Sequence, residues 1–154
     1  MNSLQELVAH YNFVDRILED QRRAASGNPQ QQGQVELRQK INDQAYFVLC
    51  WGQLEAALDD ACRSAIRKRR DNPDWSKRRA WDLYNPEDKR LSGLSFEERV
   101  TLVLDKKSQG GEWKLVIKWY ELRSRIAHGG THEQRIDLNL VAAEFYQIQS
   151  KIET

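Results

Sequence analysis

A chain of 154 residues with 40% hydrophobic content is long enough to bury a core without disulfides or a structural metal. Lys and Arg number 24 against 23 Asp and Glu, a formal charge of +1, so nothing marks a globally polybasic nucleic-acid binder and any such function must rest on local clusters. No apolar run approaches the roughly 18 residues a membrane span needs, and the N-terminus lacks the apolar core of a secretory signal, so a soluble cytoplasmic protein with no membrane partner is expected.

Ser3-Leu4-Gln5-Glu6 has the form of a capping box, in which hydroxyl and carboxylate satisfy orphan amides reciprocally. Leu4, Leu7, Tyr11, Val14 and Leu18 then recur at steps of three and four, which predicts an amphipathic helix fraying near Ala25. Ser26-Gly27-Asn28-Pro29 and the glutamines after it read as a polar loop.

A long second helix is expected from about Val35 to Arg69, with Phe47, Trp51, Leu54, Leu58, Ala61 and Ala65 on its core face. A second stripe runs through Ile41, Ala45, Val48 and Gly52 into Glu55 and Asp59, then Cys62 and Ile66. An acid in such a stripe either sits at the wet edge of the helix or pairs with a cation. Both readings stand for Glu55, with Arg123 as the candidate cation, whereas Asp59 is expected at the wet edge. Cys50 and Cys62 lack metal-type spacing and read as buried free thiols, suited to a reducing compartment.

Periodicity is lost from Arg70 to Gly93, where Asn72-Pro73 and Asn85-Pro86 punctuate the chain, so irregular structure with a short helical turn is expected. This stretch and the helix end before it carry Arg67, Lys68, Arg69, Arg70, Lys77, Arg78 and Arg79 beside Trp75 and Trp81. Interleaved cations and aromatic rings suit single-stranded RNA, through phosphate neutralisation and base stacking. The competing reading is a solvated helix C-terminus with tryptophans covering the core. Asp71, Asp74 and Asp88 form no metal-ligand pattern, so neither a catalytic metal nor a cofactor is expected.

Ser95-Phe96-Glu97-Glu98 is a second capping box, opening a short helix through Leu104 that Gln109-Gly110-Gly111 breaks. Glu112 starts the next helix, and Gly129-Gly130 suit a left-handed cap at its end. A last helix from about Asp137 shows Leu138, Val141, Phe145, Ile148 and Ile152 on one face. No segment alternates with period two. The expectation is an all-α, antiparallel bundle of four to five helices forming one domain over residues 1–154.

The penultimate helix closes on Leu122-Arg123-Ser124-Arg125-Ile126-Ala127-His128-Gly129. An arginine is a permanent cation with a planar donor fork, and histidine titrates near neutral pH. This run resembles the signature of the HEPN superfamily, small all-α domains in which an arginine is followed after four to six residues by a histidine. Arg123 and His128 fill the two positions, and Leu122, Ala127 and Gly129 match the usual flanks. The stretch Tyr46 to Glu55, aromatic-rich and ending in Leu54-Glu55, is similar to the family's long second helix. One residue departs from the pattern: Ser124 stands where active members usually carry Asn, Asp or His. Arg125 with His132 also fits the loose spacing.

The resemblance implies a metal-independent endoribonuclease, working as a homodimer whose two motifs share one cleft, of the kind found in toxin–antitoxin and antiviral defence systems with a cognate antitoxin or other partner. It implies catalytic roles for Arg123 and His128 with support from Ser124 and Glu55; Arg125 and, on the cation–aromatic pattern above, Arg67, Arg69, Arg70, Lys77, Arg78 and Arg79 are the candidate RNA contacts. The alternative is a non-catalytic HEPN-like module that binds a protein or a nucleotide. Helix geometry adds a condition. Positions five apart point about 140° away from each other, so convergence of Arg123 and His128 requires a kink, a nearby helix end or a second subunit.

Overall fold

The computed structural model describes residues 3–91, 93–129 and 134–152. Its helices are α1 (Ser3–Ala24), α2 (Pro29–Arg70), α3 (Trp75–Arg78), α4 (Phe96–Val103), α5 (Glu112–Ala127) and α6 (Leu138–Ile152), with a 3-10 turn at Trp81–Leu83. Among the described residues there is no strand, so the chain is all-α, and no helix is long and apolar enough to cross a membrane.

The second helix begins earlier than its apolar periodicity predicts. Gln31 N–H donates to Asn28 Oδ1 at 3.2 Å, and Gln32 N–H donates to the Asn28 carbonyl at 3.0 Å. Asn28 is thus an N-cap, and Pro29 takes the first helical position, where its missing N–H costs nothing. The glutamines expected in a loop are the opening turns of α2, because glutamine is a good helix former and needs no buried face to be helical. Ser3, expected to cap α1, already lies within it, and its hydroxyl donates to Gln53 Oε1 at 2.7 Å.

By internal packing the chain divides into two units, Met1–Gln53 with Tyr120–Phe145, and Leu54–Trp119 with Tyr146–Thr154. In the first unit, Leu4 and Tyr11 of α1, Phe47 and Trp51 of α2, Leu122 of α5, and Leu138, Val141 and Phe145 of α6 are buried. Trp51 meets Phe145 edge-on at 6.1 Å between ring centroids and lies 6.1 Å from Tyr120. Burying each such side chain contributes roughly 1.5–3 kcal/mol, and aromatic pairs of this geometry add about 0.5–1.5.

In the second unit Cys62, Ile66 and Leu91 form a buried cluster that Trp81, Tyr84, Leu94, Leu102 and Val103 pack against. The capping box of α4 is present: Glu98 N–H donates to Ser95 Oγ at 3.2 Å, and Ser95 N–H donates to the Glu98 carboxylate at 2.7 Å. Asp59, expected at a wet edge, instead pairs with Arg99 of α4 in a mostly buried ion pair. Several turns between α2 and α4 form without apolar periodicity because short side chains close them. Asn72, Asp74, Asn85 and Asp88 each accept a backbone N–H from two positions further on.

Candidate functional site

Helix α5 buries Trp113, Val116, Trp119 and Leu122 at steps of three, which fixes the rotation at which its last turn is presented. On that turn Arg123 and Ser124 are half-buried, while Arg125, Ala127 and His128 are exposed. His128 N–H donates to the Ser124 carbonyl at 3.1 Å, so helical bonding runs unbroken past Arg123. Gly129 N–H then turns back to the Ile126 carbonyl at 3.1 Å, with Gly129 in the left-handed region at φ 80, the cap anticipated from the sequence. No kink shortens the separation of Arg123 and His128, and the one break is the helix end, which falls at His128. Among the described residues neither side chain has a hydrogen-bonded or ionic partner. Gly130 and His132, the latter needed for the second arginine–histidine pairing, lie outside the described residues. Glu55 is half-buried and belongs to the second unit, whereas Arg123 belongs to the first.

Just beyond the motif lies a group that sequence reasoning missed. Asp43 of α2 is fully buried and accepts from Tyr11 Oη at 2.8 Å, from Arg135 Nε at 2.7 Å and Nη2 at 3.0 Å, and from Ile136 N–H at 2.9 Å. Arg135 Nη2 also donates to Asp15 Oδ1 at 2.6 Å. Four donors saturate the carboxylate, the condition under which a buried charge is tolerated. Burial first, then the hydrogen bond to Asp43, push the Tyr11 phenol above its usual range, and the bond to Asp43 raises the Arg135 guanidinium. The network ties the segment leading out of the motif to α1 and α2. Its one sequence signal was an acid a single turn before Phe47, on the core side of α2.

The basic tract is largely neutralised from within. Arg67 pairs with Glu87 at 2.7 Å, Arg70 and Arg78 each approach Asp82 at 3.7 Å, and Lys77 lies 3.9 Å from Asp74. Arg69 stacks on Trp81 at 4.6 Å and Arg79 on Trp75 at 5.5 Å. Exposed pairs of this kind are worth about 0–1 kcal/mol each, so a phosphate can compete for these cations, but they are not a row of free charges. Lys68 and Arg69, with Lys151 of α6, line an open groove of about 560 Å³ in the second unit. Among the described residues no group of three or more His, Cys, Asp or Glu is arranged to hold a metal.

No family model, curated protein or solved structure matches the chain. Any assignment therefore rests on the side chains themselves.

Proposed function

We propose that the chain is a metal-independent endoribonuclease of HEPN type, acting as a homodimer in a toxin or defence setting with Arg123 and His128 as its catalytic residues. The observation that carries this reading is the end of α5: a half-buried arginine paired with no carboxylate among the described residues, five positions before an exposed histidine at a glycine-capped helix end. A half-buried guanidinium without a protein counter-charge is available to an anion.

RNA carries its own nucleophile, so the protein need only move protons and stabilise the phosphorane. His128 takes the proton of the 2′-hydroxyl as the 2′-oxygen bonds to phosphorus. The bond from phosphorus to the 5′-oxygen breaks, and that oxygen takes a proton from an acid, the second copy's imidazole or a water. Arg123 clamps the non-bridging oxygens and offsets their developing charge. The products are a 2′,3′-cyclic phosphate and a 5′-hydroxyl, and a strand with a 2′-deoxy sugar at the scissile position is left whole.

The test is cleavage of single-stranded RNA in EDTA, with end-group analysis. His128→Ala is expected to lower the rate about 10²–10⁴-fold, the usual range for a lost general acid or base, and Arg123→Ala to abolish cleavage. Equal cleavage by wild type and His128→Ala would sink the assignment. The internally paired basic tract favours a second reading, a non-catalytic HEPN-like module that binds a partner protein or nucleotide, for which wild type leaves RNA intact.

A further inference from the structure

The basic tract divides into neutralised and unneutralised charge. Arg67, Arg70, Lys77 and Arg78 each have a carboxylate at 2.7–3.9 Å. Lys68, Arg69 and Arg79 have none among the described residues, and Arg79 is turned onto Trp75. The remaining two, Lys68 and Arg69, line one groove together with Lys151. The negative end of the helix dipole accounts for cations in the last turns of α2 and α6. It does not account for which of them lack a carboxylate, when Glu87, Asp82 and Asp74 serve their neighbours in sequence.

The rest of the groove is set by helical spacing. On α2, Ala61, Ser64, Ala65, Lys68, Arg69 and Asn72 follow at steps of three, one, three, one and three, a single helix face. The small side chains of Ala61, Ser64 and Ala65 leave an open floor, and the long cationic ones follow one turn on. Leu102 and Val103, where α4 stops, and Ile152, in the last turn of α6, make the other lining aliphatic. No acid lines the groove among the described residues. Arg69 is held in place, its guanidinium over Trp81 at 4.6 Å and its Nη1 donating to the Ala65 carbonyl at 3.4 Å. Its Nε and Nη2 have no acceptor among the described residues. Lys151 acts on the Glu112 carboxylate through space, and that carboxylate takes hydrogen bonds from Gln147 and Ser108.

We propose that this groove binds a phosphomonoester, with the phosphate among Lys68, Arg69 and Lys151 and the organic body along Leu102, Val103 and Ile152. A phosphomonoester carries a charge of about −1.5 to −2 near neutral pH and three acceptor oxygens, which this cluster of cations matches. The pinned guanidinium offers the donor fork that phosphate takes bidentately. At about 560 Å³ the groove lies within the size range of small-molecule sites and is far larger than a bare phosphate, so the ligand has an organic body. The aliphatic lining gives that body an apolar side to rest on. The site stands wholly in the second unit and does not rest on the ribonuclease reading, whose Arg123 and His128 belong to the first.

The experiment is isothermal titration calorimetry of the full chain at pH 8 with phenyl phosphate, inorganic phosphate and a tetranucleotide bearing a 5′-phosphate or a 5′-hydroxyl. The tetranucleotide is 2′-O-methylated, so it cannot be cut through its 2′-oxygens. Phenyl phosphate is expected to bind with Kd below about 1 mM, and about tenfold more tightly than inorganic phosphate. Lys68→Ala and Lys151→Ala, both at exposed positions, should melt as wild type does by circular dichroism and each weaken phenyl phosphate about tenfold. Lys77→Ala, whose charge answers Asp74, should leave that Kd unchanged. The proposal is overturned if phenyl phosphate does not bind and the 5′-phosphate adds nothing to the strand. Inorganic phosphate bound as tightly as phenyl phosphate also overturns it, as does a loss on Lys77→Ala equal to that on Lys68→Ala. Given binding, a 5′-phosphorylated strand held more tightly than phenyl phosphate makes a strand end the source of the phosphate. A strand indifferent to its 5′-phosphate makes the source a free small molecule.

Discussion

Replacing Asp43 by alanine deprives Arg135, Tyr11 and Ile136 of their shared acceptor at once. Removing one member of a buried ion pair costs about 3–5 kcal/mol, mostly for the group left behind. Here the abandoned group has an escape. The Arg135 side chain is 39% exposed and keeps Asp15, so it rehydrates and the loss falls at the lower end, about 3 kcal/mol. The orphaned Ile136 N–H, which is buried, accounts for about 1–3 kcal/mol of that. For a chain of this size each kcal/mol moves Tm by about 2–4 °C, so calorimetry should record a fall of about 6–12 °C. Arg135→Ala should cost at least as much, because it strands the carboxylate. The double variant should be more stable than the two losses summed, by about 1 kcal/mol or more. A Tm change below about 2 °C, or strict additivity, would refute the claim that Asp43 is a saturated buried charge.

Other outcomes follow from the same coordinates. Tyr11 has a phenol raised above its usual 10.0. The folded state therefore keeps this proton after the unfolded chain has lost it, and stability falls as pH rises from about 10; urea midpoints against pH should show that slope, and Tyr11→Phe should flatten it. Burial pushes the Cys50 thiol up to about 11 and raises Cys62 above its usual 9.0. Both should resist iodoacetamide at pH 8 in the native protein and react in denaturant, as mass spectrometry would show, while stability declines as pH rises from 9 towards 11. Ser95→Ala removes one half of the capping box and should lower stability by about 1 kcal/mol in urea titration.

Features written within a few residues were legible in the sequence. The Ser95 box and the left-handed turn at Gly129 are set by neighbours in the chain, so reading them needs no tertiary knowledge. The start of α2 escaped notice because Asn28, Pro29 and a run of glutamines make a helix without an apolar period. Asp43 escaped for the opposite reason, since the arginine that justifies its burial lies 92 positions away. Apolar spacing alone also failed to separate core from surface. Ile41 and Val48 face solvent while Cys62 and Ile66, further along the same stripe, are fully buried. The motif itself was readable as a helix end, but that Arg123 has no ionic partner among the described residues is a fact of three dimensions.

The side-chain turns between α2 and α4 carry a kinetic consequence. Each closes over two residues, so the entropy of closure is small and this stretch can organise as early as the helices around it. The Arg135–Asp43 bond spans 92 positions and must await the docking of distant parts of the chain. Contacts made after the folding barrier act on escape from the native state and hardly on arrival at it. Substitution at Asp43 should therefore steepen the rate of unfolding while leaving the refolding limb of the chevron almost where it was.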